Sequence, residues 1–369
     1  MAPAIREIAI IGAGNGGFAA AADLTLRGFS VRLYGRSKST LAPIEQRGGI
    51  ELSGALGEHF TPLAMITGDA GEAVRGADLV MLMGPSHAHA AMAETIAPHI
   101  ADHQLLLAAP GHTVLLIPNV LRARGSNIET FCDTATLPYI ARKSGPAAVR
   151  ITQAARYLVF AAFPGHRTAE LAERLRDVYP AIAPGANLLE TVFPYTNAIH
   201  HPPAILSNAG RVEATGGDYY HYYDGISPAV GRLIDALDRE RLAIAGALGV
   251  RALPFVEHFY RIGYTTEAAR RSGLAYEAFH QSEPDRWIRA PASLEHRFLD
   301  EDVPFGLVLL SQLGRLAGVA TPTMEHVIEL ACAATGKSYR ADGLTLERIG
   351  LAGRDPAAAM ALLERGYAN

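Results

Sequence analysis

Two stretches of this sequence hold residue types that could do redox and acid–base chemistry. The first is Gly12-Ala13-Gly14-Asn15-Gly16-Gly17. Glycines at this spacing suit a dinucleotide. Gly12 permits a tight turn, Gly14 lets a pyrophosphate approach the backbone, and Gly17 lets a following helix pack close to its strand. A helix that starts there adds unpaired N–H groups and the positive end of its dipole, so Asn15 and Gly16 belong to the same cofactor-binding set. The second stretch is Asn197-Ala198-Ile199-His200-His201-Pro202-Pro203. Two prolines hold the backbone directly after a histidine pair, and a histidine can both give and take a proton near neutral pH. A later acidic stretch, Arg297-Phe298-Leu299-Asp300-Glu301-Asp302, could supply a carboxylate that orients a histidine and stabilises its charged form. Spacing alone leaves open which histidine pairs with which acid.

The elements around these stretches can be read from their patterns. Glu7–Ile11 is a short apolar run and reads as a buried strand. Phe18 to Gly28 has helical apolar spacing and stops on a glycine, and Phe29 to Tyr34 reads as a second strand. Ala77 to Met83 reads as a fourth strand and Gln104 to Ala109 as a fifth. The fifth ends in Pro110-Gly111-His112-Thr113, where ligands bind in doubly wound folds, so His112 is a substrate-binding candidate. His87 and His89 are two apart and cannot share a helix face, so no metal site is expected there. Thr168 to Tyr179 reads as a surface helix with Leu171, Leu175 and Val178 on its inner face, and Asn187 to Phe193 as another strand. Beyond that point the patterns turn helical. Ser227-Pro228 looks like a cap followed by proline at the first helical position, with a stop at Leu248-Gly249; Thr321-Pro322 repeats the start signal.

Strand–helix alternation followed by helices implies a doubly wound α/β Rossmann-type N-terminal domain and an all-α C-terminal domain. The expected division is 1–190 for dinucleotide binding and 191–369 for substrate and catalysis. The second strand ends Tyr34-Gly35-Arg36-Ser37-Lys38, with no acid to bind a ribose 2′-hydroxyl. Arg36 and Ser37 suit a 2′-phosphate, so NADP is the expected cofactor, with NAD as the alternative if these are solvated loop residues.

The composition narrows the class. The chain has 369 residues, 49% hydrophobic and 19% charged, which suits two packed cores and excludes a disordered chain. A net charge of −4 offers no basic excess for nucleic acid. Two cysteines, Cys132 and Cys332, are too few for a disulfide framework and read as reduced core thiols. The start has no signal-peptide core before the glycines. The longest charge-free run, Gln104 to Leu121, is broken by Pro110-Gly111 and Pro118. A cytoplasmic protein without a membrane span is expected; a homodimer is compatible with the sequence. Only three of the 33 basic residues are lysines: Lys38, Lys143 and Lys337.

Several longer motifs carry a resemblance. They are Gly12 to Gly17, Leu137-Pro138-Tyr139 after Thr136, LETVFPYTNAIHHPP from Leu189 to Pro203, YYDGISPAV from Tyr222 to Val230, Asp238-Arg239-Glu240-Arg241, and EDVPFGL from Glu301 to Leu307. With these motifs the chain resembles the opine dehydrogenase family (octopine, nopaline and N-carboxyalkyl amino acid dehydrogenases) over nearly its whole length. The resemblance implies a helical domain of the 6-phosphogluconate-dehydrogenase C-terminal kind. It also implies NAD(P)H-dependent reductive condensation of an L-amino acid with a 2-oxo acid, such as pyruvate, and the reverse oxidation. It makes His201 the catalytic histidine and Asp302 its carboxylate partner. Asn197 and Thr136 fall on substrate-pocket positions, and Arg297 on a cofactor-phosphate or domain-closure position. Some relatives read LPYACR where this chain has Ala141, so arginine specificity is not carried over. Arg142 either receives a substrate carboxylate or faces a surface or a phosphate.

Two other readings compete. A ketopantoate-type or glycerol-3-phosphate-type reductase would need a junction lysine, and none lies between Lys143 and Lys337. A non-catalytic dinucleotide sensor would keep the glycines but have no use for His201 with Asp302.

Overall fold

The computed structural model describes residues 4–128 and 130–367. Those within Met1–Val192 and Ala361–Asn369 form one compact unit, and Phe193–Met360 form a second.

The first unit is built on strands, the central ones of its main sheet buried along most of their length. β1 (Glu7–Ile11) pairs in parallel with β2 (Ser30–Tyr34), Ile8 opposite Val31. The next strands in the chain are β3 (Gly49–Gly54), β4 (His59–Pro62) and β5 (Met65–Thr67). β6 (Leu79–Leu82) pairs with the other side of β1, and β7 (Leu105–Ala108) follows beside it. β8 (Phe131–Thr134), β9 (Tyr139–Gly145), β10 (Ala148–Ala154), β11 (Leu158–Phe163) and β12 (Ile182–Pro184) complete the set. Eight strands make one sheet in the order β12-β11-β8-β7-β6-β1-β2-β5, parallel except where β11 meets β8. β6 and β7 are the fourth and fifth strands of that sheet in chain order, as expected. Continuous apolar runs are what strands covered on both faces require. The helix Asn15–Leu26 covers one face, with Phe18 to Ala22 fully buried.

A second sheet, β4-β3-β10-β9, lies outside the elements the sequence pattern predicts. Its strands mix buried with half-buried and exposed residues, and Pro146-Ala147 makes the β9–β10 turn. Asn187 to Phe193 is not a strand but a short helix, Leu189–Val192. Its β-branched residues mimic a strand, but the Asn187 carboxamide accepts the Leu189 N–H at 3.0 Å and turns the chain into a helical start. Cys132 is buried on β8, whereas Cys332 is half-buried rather than a core thiol; both are free.

The second unit is helical. Ser227 caps the helix Pro228–Ala247 by accepting from the Val230 N–H, and Gly249 follows it at φ +66°, as the start and stop signals predict. The helix Pro322–Thr335 begins at the expected proline, but Thr321 does not cap it. Glu240 does so from the preceding long helix, accepting from the N–H groups of Thr323 at 2.7 Å and Met324 at 3.0 Å. Among the described residues no helix is long and apolar enough to cross a membrane.

Candidate active site

The glycine turn behaves as its residue types require. Gly12 sits at φ +120°, and a Cβ there would lie 2.5 Å from the Met83 carbonyl. A Cβ on Gly17 would lie 1.7 Å from the Gly12 carbonyl. At both positions only glycine lets strand, turn and helix close up. Gly14 differs: a Cβ there would meet nothing within 4 Å, because its bare Cα faces open space. The helix that Gly14 caps starts with no side-chain cap and no acid in its first turn, so its N–H groups remain available to an anion. Beside it lies a cavity of about 260 Å³, lined among others by Gly12, Gly14, Arg36, Ser37 and Gly84. Arg36 is exposed there, and Ser37 caps the next helix. The residues therefore fit a dinucleotide. Gly16 and Asn15, in the same turn, also pack within the unit: a Gly16 Cβ would strike Leu137 at 2.8 Å, and the Asn15 side chain accepts the Lys143 N–H at 2.9 Å.

The remaining candidates of this unit lie past the ends of β7 and β8. His112 is buried at φ +46°, with Nε2 2.6 Å from the Ser86 hydroxyl. Thr136 is half-buried just beyond β8, and its carbonyl accepts from the Thr134 hydroxyl at 2.8 Å. Arg142 is not gathered with them. It is exposed on β9, its guanidinium hydrogen-bonded to the Ala141 carbonyl at 2.9 Å.

In the second unit, His201 and Asp302 come together. His201 lies on the helix Asn197–Leu206, whose ten residues include both prolines. Asp302 directly precedes a π-helical turn, Val303–Leu307, closed by the Leu307 N–H donating to the Asp302 carbonyl at 3.0 Å. Wider turns of this kind recur at functional sites because they re-aim side chains. Gly306 makes the fit possible: a Cβ there would meet the Ala198 Cβ at 2.4 Å. The turn can therefore press against the histidine helix. The outcome is a buried contact of 2.7 Å between His201 Nδ1 and Asp302 Oδ2. Phe298 stacks on the imidazole at 3.8 Å between ring centroids. Asn197 is half-buried one helical turn before His201, and Arg297 pairs with Glu301 at 3.1 Å.

Two tyrosines, which the sequence leaves open between pocket and core, complete the pair. The Tyr222 hydroxyl lies 2.7 Å from His201 Nε2, and the Tyr195 hydroxyl hydrogen-bonds Asp302 Oδ1. Both belong to the resemblance motifs, but nothing in the spacing separates a pocket tyrosine from a core one. His200 packs instead against Phe279 and Phe255, at 5.2 Å and 5.7 Å.

Burial sets the charges. It lowers the His201 pKa well below the ordinary histidine value, helped by the positive charges of Arg297 and His296. It raises Asp302, against the opposing effects of the Tyr195 hydrogen bond and the Arg297 and His296 charges. The resting imidazole is therefore neutral. When Asp302, raised to about 7, is ionised, Nδ1–H donates to it and Nε2 is left to accept the Tyr222 hydroxyl proton.

Comparison with known proteins agrees with both halves. The family described as NAD/NADP octopine/nopaline dehydrogenase, alpha-helical domain, matches residues 184–335. The N-terminus of NAD-dependent glycerol-3-phosphate dehydrogenase matches residues 7–111. An opine dehydrogenase of Arthrobacter sp. (strain 1C) is 33% identical, over 94% of this chain and 96% of its own length. An octopine dehydrogenase structure in complex with NADH and agmatine superposes with a TM-score of 0.78 at 19% identity, covering 99% of each chain. A yersinopine dehydrogenase with NADP+ bound gives a TM-score of 0.73 at 17% identity, again over 99% of each chain. Glycine turn, histidine–aspartate pair and full-length similarity lead to one conclusion: this chain belongs to the opine dehydrogenase family of NAD(P)-dependent dehydrogenases.

Proposed function

We propose that the chain condenses the amino group of an L-amino acid with a 2-oxo acid such as pyruvate and reduces the product to a secondary amine dicarboxylate, acting in reverse as an oxidoreductase on a CH–NH group. The observation that carries the chemistry is the buried 2.7 Å contact between His201 and Asp302. A bound reduced nicotinamide supplies the hydride. Gly12, Gly14, Gly16, Gly17 and Asn15 form the turn that holds the pyrophosphate. Arg36 and Ser37 receive a 2′-phosphate, which makes NADPH the preferred donor. Arg297 serves a cofactor phosphate. Asn197, Thr136 and His112 are assigned to the substrates.

The amino acid arrives as an ammonium ion and must lose a proton before it can attack a carbonyl. A neutral His201 takes that proton, and Asp302 stabilises the imidazolium formed. His201 then returns the proton to the carbinolamine hydroxyl, which leaves as water and gives the iminium. A positioned acid–base group of this kind contributes ~10²–10⁴-fold.

The test is an assay of amino acids against pyruvate, glyoxylate and 2-oxoglutarate, followed by NADPH absorbance. Consumption only when both partners are present is expected. His201→Ala is expected to lower turnover ~10²–10⁴-fold while NADPH binding stays intact. Reduction of an oxo acid without an amine, or a His201→Ala enzyme with normal turnover, contradicts the assignment.

A further inference from the structure

We propose that Tyr222 is a proton relay, so that its hydroxyl rather than His201 Nε2 faces the substrate, while His201 and Asp302 stand behind it. The inference rests on the assignment of His201 above and extends it.

Geometry supports the relay first. Both nitrogens of His201 are occupied, Nδ1 by Asp302 and Nε2 by Tyr222, each at 2.7 Å. A substrate can therefore reach Nε2 only by displacing the tyrosine or by using it. Displacement is opposed by the way Tyr222 is held. Its ring lies parallel to Phe279 at 5.1 Å and 4°, and the His221 ring meets it edge-on at 4.7 Å. The turn that carries it is closed by backbone bonds: His221 N–H to the Ile288 carbonyl at 2.8 Å, and Ile226 N–H to the Tyr222 carbonyl at 3.1 Å. Gly225 lets that turn fold tightly, since a Cβ there would lie 2.2 Å from the His221 carbonyl.

Charge supports it second. Burial and the negative groups facing the ring, Asp285 and Asp302, hold the phenol protonated against the opposing charge of Arg297. His221 beside it is neutral, pushed down to about 3 by burial. At rest the phenol donates to a neutral imidazole, and its oxygen lone pairs remain free to accept. The ammonium proton moves to the Tyr222 oxygen as the Tyr222 proton moves to Nε2. One N–H bond breaks in the substrate and one forms on His201, and the tyrosine ends neutral. Both transfers reverse when the carbinolamine hydroxyl takes its proton and leaves as water.

Tyr222→Phe removes the hydroxyl and keeps the ring on Phe279. Turnover is expected to fall ~10²-fold, the lower end for a lost proton-transfer group. Substrate KM values and NADPH affinity are expected to stay unchanged. Wild-type turnover plotted against the fraction of D2O is expected to curve, because two protons move together, and the variant's plot to be straight. Wild-type turnover in Tyr222→Phe overturns the relay, and so does a straight plot for the wild-type enzyme, which needs no variant to fold. His201→Ala, measured alongside, separates the two readings. If it loses turnover while Tyr222→Phe does not, the relay alone falls. If it keeps turnover, the acid–base assignment falls too.

Discussion

An imidazole acts predictably only when its two nitrogens have different partners. In His201 they do, and burial decides the resting proton count. The same force acts on Asp133, a carboxyl on β8 that is fully buried and raised from 3.8 to about 8. Desolvation is the main cause; the nearby Thr191 side chain and His112 backbone oppose it. Gly111 packs so closely that a Cβ there would lie 2.1 Å from the Asp133 Cβ. Asp133 is therefore neutral in the folded protein at pH 7 but ionised once unfolded. Between those two values the native state binds the extra proton, so stability falls as pH rises, at up to ~1.4 kcal/mol per unit. Asp133→Asn stays neutral in both states and should flatten that decline. Urea unfolding at pH 5 and pH 8 measures it; an identical decline in both proteins would show that Asp133 is ionised when folded.

At the scale of elements, the pair depends on one packing contact. The π turn carries Asp302, the Asn197–Leu206 helix carries His201, and Gly306 against Ala198 sets their approach. Gly306→Ala forces them apart. Turnover should drop ~10²-fold, as displacements of about 1 Å at a reacting group do. NADPH binding, held by the other unit, should be unaffected, and isothermal titration beside steady-state rates checks both. Wild-type turnover would mean that the turn does not govern the pair. The Asp238–Arg241 stretch, which helped reveal the family, is scaffold. The buried Arg241 guanidinium bonds Asp238 at 2.6 Å, the Phe193 carbonyl at 2.7 Å and the Leu253 carbonyl at 2.6 Å. Removing one partner of such a buried pair costs about 3–5 kcal/mol.

At the scale of the molecule, a chain of net charge −4 must bind a polyanionic cofactor. Local geometry has to overcome that average: glycine backbone, a helix N-terminus and Arg36 gathered at one cavity. NADPH at a hundred times its Kd should stabilise the fold by ~2.7 kcal/mol and raise the thermal midpoint accordingly. Arg36→Ala should reduce the NADPH-induced rise, since a charge-assisted bond contributes about 1.5–3 kcal/mol, and leave the NADH-induced rise alone. Equal losses for the two cofactors would place Arg36 away from the 2′-phosphate.

Local pattern alone was enough for the glycine turn, the parallel core strands and the Ser227-Pro228 helix start, because steric freedom, burial and capping act over a few residues. Family likeness pointed to His201 and Asp302, which no spacing rule joins. The second sheet is not legible in the sequence because its strands are half-exposed and lack long apolar runs. Tyr195, Tyr222 and Gly306 depended wholly on tertiary structure. A tyrosine becomes a hydrogen-bond donor to one particular nitrogen, and a glycine becomes indispensable, only when distant segments pack to within an atom's width, and chain order does not encode that distance.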